Sequence, residues 1–129
     1  MIHIAAISQP PKGCQEIMVK GVTFKEAADM LLDSHFLIDK KDEILGTIKT
    51  ERRDINYEKQ KGGFIILTIR IKDSSAYING NCGIDMTSFR QGILEYRIEN
   101  RGMKGSVIKD AFNLMNEFAL SFKRPVEYR

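Results

Sequence analysis

Apolar and polar positions along this chain follow two different periods, and the change from one to the other predicts its elements. Over residues 64–73 the period is two. Ile65, Leu67, Ile69 and Ile71 fall on one side, and Thr68, Arg70 and Lys72 on the other. A strand with one apolar face belongs in an antiparallel sheet that is covered on one side. Asp73-Ser74-Ser75 reads as a turn, and residues 76–79 as the return strand, with Ala76 and Ile78 on one face and Tyr77 on the other. Weaker strand signals cover residues 15–20, 36–39, 44–50 and 92–100. The 36–39 and 44–50 pair reads as a hairpin through a charged turn at residues 40–43, and Gly46 marks a bulge or a close backbone approach. The charged stretch 51–63 predicts a loop or a mobile extension of its neighbours, and residues 81–91 show no usable period.

Two stretches have helical spacing instead. Phe24, Ala27, Ala28, Leu31 and Leu32 make an apolar stripe over residues 23–33. Thr23 and Glu26 stand three apart before it, the spacing of a capping box, and Val22 is placed to staple onto Ala27. Ile108, Ala111, Phe112, Met115, Phe118, Ala119 and Phe122 make the second stripe, over residues 106–123. Ser106 caps it, Asp110 suits the positive end of the helix dipole, and Pro125 stops it. Residues 126–128 read as a last extended piece.

The order β-α-β-β-β-β-β-α predicts an α+β fold. An antiparallel sheet of about five or six strands carries both helices on its apolar face, in two layers. Residues 1–14, with Pro10-Pro11, read as an irregular N-terminal arm, and residues 15–129 as a single α+β domain. The length of 129 residues suits one domain, and 43% hydrophobic with 29% charged residues is an ordinary globular balance. No apolar run approaches the roughly 20 residues that span a bilayer. The apolar start, residues 1–7, lacks a basic region and runs into prolines, so no export signal is read in the sequence as given.

The chemistry is sparse. A net charge of +3 is mild, and no nucleic-acid partner is expected from it. Arg52, Arg53, Lys59 and Lys61 surround Tyr57, but Glu51, Asp54 and Glu58 dilute that field, so a nucleic-acid-binding module is only an alternative reading. His3 and His35 have no second ligand at metal spacing, and no metal or cofactor is expected. His35 stands at the exit of the first helix, where an imidazole meets free carbonyls. Two cysteines make no disulfide framework, and Cys14 and Cys82 read as small buried thiols. A second alternative, an enzyme or small-ligand binder, places a sheet-edge pocket near Cys82. Gly102 to Ser106 lacks phosphate-loop spacing and is explained by helix initiation.

Val19-Lys20-Gly21-Val22-Thr23-Phe24-Lys25-Glu26-Ala27 is followed by Phe36-Leu37-Ile38-Asp39, Leu45-Gly46-Thr47-Ile48-Lys49-Thr50, Met103-Lys104-Gly105-Ser106 ahead of the second helix, and Val126-Glu127-Tyr128. In these the chain resembles the small Bacteroidetes envelope-type proteins with a TATA-box-binding-protein-like (TBP-like) sheet and helices. More distantly it resembles the domains of BamC-type lipoproteins. The resemblance implies a TBP-like fold, an envelope location and no catalytic residues. The expected function is therefore a non-enzymatic domain that binds a protein partner, with no catalytic or metal site. Its candidate interaction surface is Arg70, Lys72 and Tyr77 on the uncovered sheet face.

Overall fold

Two long strands and the turn between them organise the chain. The structure is a computed structural model that describes residues 9–57, 60–87 and 90–129, with the side chains of residues 56, 57, 60 and 61 outside the description. Its elements in chain order are β1 (Ile17–Lys20), α1 (Phe24–Asp33), β2 (Ile38–Asp42), β3 (Thr47–Thr50), β4 (Arg53–Tyr57), β5 (Gln60–Lys72), β6 (Ser75–Asp85), β7 (Ile93–Arg97), α2 (Val107–Leu120) and β8 (Val126–Tyr128). Strands β5 and β6 pair antiparallel from Gly63↔Ile84 to Lys72↔Ser75. Asp73 (φ 51°) and Ser74 (φ 58°) are both left-handed, which is the two-residue turn whose twist matches that of the strands it joins.

Each outer edge of this hairpin is served by two shorter strands laid end to end. On β5 these are β3 (Ile48↔Ile69) and β4 (Arg53↔Ile65). On β6 they are β1 (Ile17↔Ile78) and β7 (Tyr96↔Cys82). Strand β2 lies outside β3, and β8 outside β1, which completes, among the described residues, eight antiparallel strands in the order β2-β3-β5-β6-β1-β8 with β4 and β7 beside them. The joint between β3 and β4 leaves the Leu67 amide without a backbone partner. The buried Thr50 hydroxyl accepts its proton at 2.9 Å, so a side chain fills the gap in the ladder.

The odd-numbered side of β5 carries the core. Ile65, Leu67 and Ile69 pack with Ile17, Val19, Ile48, Ile78 and Cys82, and onto them lie Ala27 and Leu31 of α1 and Phe112, Met115 and Phe118 of α2. Both helices therefore sit on one face. Helix α1 starts on the Thr23–Glu26 capping box. It ends with Phe36 N–H donating to Leu31 O (2.8 Å) and His35 N–H to Leu32 O (3.0 Å), His35 being left-handed at φ 67°. This is a Schellman closure, in which the backbone of His35, rather than its imidazole, serves the free carbonyls. Edge-to-face contacts tie Phe36 to Phe118 (6.0 Å) and Phe118 to Phe122 (5.3 Å).

The observed α+β class with an antiparallel sheet and two helices agrees with the sequence pattern. The sheet is larger than expected, eight strands rather than five or six. Strand β4 falls within the stretch that reads as a loop, because Arg53 occupies an inward position that an apolar residue would otherwise signal. Its guanidinium lies 4.6 Å over the Phe36 ring and donates to Ser34 O at 3.0 Å. Residues 40–42 belong to β2 rather than to the turn. The reversal comes later, where the Asp42 carboxylate accepts from Leu45 N–H (3.0 Å) and Gly46 is left-handed at φ 72°. Strand β6 runs on through residues 81–85, where the sequence shows no period. Of the expected N-terminal arm, residues 1–8 lie outside the described residues. Residues 9–16 are tied down through Gly13 N–H to Asn100 O (2.7 Å) and Asn100 N–H to Cys14 O (2.9 Å).

The Thr50 joint gives a direct test. Thr50→Val keeps the volume and leaves the Leu67 amide buried without an acceptor, so chemical denaturation is expected to show a loss of about 1–3 kcal/mol. A loss below about 0.5 kcal/mol would mean that the hydroxyl does not hold the joint.

Candidate functional site

The face turned away from the helices is built in rows, because residues paired across antiparallel strands point to the same side. Nearest the β5–β6 turn, Ser75 has Lys72 on one side and Lys20 on the other. In the next row Tyr77 has Arg70 on β5, Met18 on β1 and, beyond it, Glu127 on β8. The third row is Thr68, Asn79 and Glu16, with Asn79 Nδ2 donating to Glu16 at 3.4 Å. Farther along stand Ile66 and Asn81, then Phe64 and Gly83.

The structure brings two of the three expected surface residues into contact. Arg70 lies 5.3 Å from the centroid of the Tyr77 ring. Lys72 is on the same face, one row nearer the turn, and exposed. A residue that no local pattern signals completes the group: Arg129, next to the end of β8, also lies 5.3 Å from the Tyr77 ring. It enters because β8 returns to β1, a pairing between residues more than a hundred positions apart. Tyr77 is thus held between two guanidinium groups on an uncovered surface. Arg129 pairs with Glu127 at 3.4 Å, whereas among the described residues Lys20, Arg70 and Lys72 make no ion pair. That row arrangement suits a ligand with carboxylates and a flat or apolar group.

The arginines near Tyr57 have structural duties. Arg52 lies 4.1 Å over the Phe64 ring, which is buried on the open face, and pairs with Asp85 at 3.2 Å. Arg53 is committed to Phe36 and Ser34. Lys59 lies outside the described residues. The side chains of Tyr57 and Lys61 lie outside the described residues as well.

The structure places Cys82, the residue named for a sheet-edge pocket, in the core. Its side chain points to the helices, among the core residues, and is fully buried. Burial raises the thiol to about 11, with Arg101 opposing weakly, so no thiolate is available near neutral pH. Cys14 is free and buried as well, and burial raises its thiol too. Elsewhere, Arg124 binds Glu26 and, together with the Thr23 amide, holds that carboxyl at about 2, which joins the start of α1 to the end of α2. A cleft of about 330 Å³ between β4 and α2 is lined by Arg53, Asp54, Asp110 and Glu117. Among the described residues no three His, Cys, Asp or Glu side chains are placed to hold a metal ion, and no helix is long and apolar enough to cross a membrane.

Comparison with known proteins yields no family model that matches the chain and no curated protein similar to it.

The burial of both thiols predicts their reactivity. At pH 8 the folded protein is expected to release no colour with a disulfide thiol reagent, and two equivalents after denaturation. One fast-reacting equivalent in the folded state would restore a reactive Cys82 or Cys14.

Proposed function

We propose that this chain is a non-enzymatic binding domain that takes a protein partner on the open face of its sheet, in the cell envelope as the sequence resemblance implies. The TBP-like fold implied by the sequence resemblance belongs to the same reading: an antiparallel sheet presents one face while helices back the other. One observation carries the proposal. Tyr77 stands between Arg70 and Arg129 on a face that no element of the described chain covers, and in the adjacent row Lys72 and Lys20 make no ion pair among the described residues. A guanidinium such as that of Arg70, beside an aromatic ring and without an ion pair among the described residues, binds a carboxylate together with an aromatic or apolar side chain. An acidic protein segment supplies both.

The proposal is tested with a defined probe, a labelled peptide of alternating glutamate and phenylalanine, followed by fluorescence anisotropy against salt. The Arg70→Glu and Lys72→Glu variants are each expected to weaken binding by about tenfold, while Lys25→Glu on the exposed side of α1 leaves it unchanged. Equal weakening by all three substitutions, or no binding by the parent protein, would overturn the reading. Tighter binding of a single-stranded oligonucleotide than of the peptide would favour the nucleic-acid alternative.

A further inference from the structure

Strand β7 has a free edge whose side chains complement themselves. It pairs with β6 on one side only, and among the described residues nothing pairs with its other side. All five of its residues are exposed, including Ile93 (48%), Leu94 (43%) and Tyr96 (37%), an unusual exposure for three large apolar side chains on one short strand.

The backbone register shows which groups that edge offers. Ile98 N–H donates to Gly80 O at 3.0 Å, and Met86 N–H to Gly92 O at 2.8 Å. Residues 92, 94, 96 and 98 therefore direct their amides and carbonyls to β6, and in an antiparallel ladder Ile93, Glu95 and Arg97 direct theirs outward. On the open face of the sheet stand Ile93, Glu95 and Arg97, and on the helix face Leu94 and Tyr96. Asn81 Nδ2 donates to Glu95 at 3.1 Å and positions that carboxylate, and Arg97 makes no ion pair among the described residues.

We propose that a second copy of this chain pairs with β7 in antiparallel fashion, on a two-fold axis through Tyr96. In that register Glu95 faces Arg97 of the other copy and Arg97 faces its Glu95, so two ion pairs form across the axis. The same two residue pairs supply the outward amides and carbonyls for four backbone hydrogen bonds. Tyr96 meets its own symmetry mate in the closer, non-hydrogen-bonded position, and Leu94 extends the apolar contact on the helix face. Moving the axis to Glu95 sets two carboxylates directly opposite each other, which the sheet does not favour. The occupant is a second copy because the charge order of the edge, acid then base two residues later, is its own complement when reversed. Pairing through β7 continues the open face from one copy into the other and places two Arg70–Tyr77–Arg129 groups on one surface.

The test is sedimentation equilibrium up to about 0.5 mM, since a five-residue edge gives a modest interface. The parent protein is expected to dimerise. Glu95→Arg and Arg97→Glu are each expected to weaken the dimer by at least about tenfold, and the double variant, which swaps the charges, to restore it. Tyr96→Cys is expected to form a disulfide-linked dimer on mild oxidation, and Glu95→Cys is not. Because β7 side chains are exposed, circular dichroism checks that each variant folds. A monomer throughout, a dimer indifferent to the charge reversals, or crosslinking through position 95 in place of 96 would each overturn the proposal. So would dimerisation that appears only after residues 1–8 are removed, which would assign the edge to the chain's own N-terminal segment.

Discussion

The β5–β6 ladder is the interaction on which the rest of the structure depends. Its length exceeds that of every other strand pairing, and each remaining strand finds its register on it directly or through one neighbour. Period-two alternation along β5 assigns Ile65, Leu67 and Ile69 to the core and Arg70 and Lys72 to the open face. A slip of one residue would exchange the two sets, so the burial of one face by both helices holds the register, and the register holds the surface. The core and the candidate site are two sides of one constraint.

Carrying two short strands along each edge of the hairpin creates joints, and the chain closes them in different ways. At the β3–β4 joint the Thr50 hydroxyl replaces a missing backbone acceptor. At the β1–β7 joint Asn100 does the corresponding work. Its side-chain amide donates to Pro10 O and Pro11 O, both at 3.0 Å, and its carbonyl oxygen accepts from Lys109 of α2. One buried amide thus fastens the arm, the end of the β7 segment and the second helix together. The Thr50 joint satisfies a backbone amide that would otherwise be buried without a partner.

The helices and β5 were legible because their signals are local: a capping box, a capping serine, and clean periods of 3.6 and two. What stayed hidden depends on contacts between distant residues. Strand β4 reads as a polar loop, since its inward Arg53 uses the face of Phe36 in place of an apolar side chain. The second half of β6 contains Gly80, Asn81 and Gly83, poor strand formers by composition. The structure shows why Gly83 stands there: a Cβ at that position would lie 2.7 Å from the Phe64 ring and 2.1 Å from Leu94 O. In the candidate site, Arg70 and Tyr77 follow from alternation on neighbouring strands. Arg129 follows only from the return of β8 to β1, which leaves no mark near either residue.

Native-state hydrogen exchange followed residue by residue measures most directly whether the hairpin is the scaffold. The amides of Thr68, Arg70, Tyr77 and Asn79, which bond across the β5–β6 ladder, are expected to exchange slowest, at the free energy of global unfolding, with β2, β8 and the amides of Ile93, Glu95 and Arg97 opening at lower energies. If α2 or the β2–β3 pair instead exchanged more slowly than β5 and β6, the long ladder would not be the element on which the others depend.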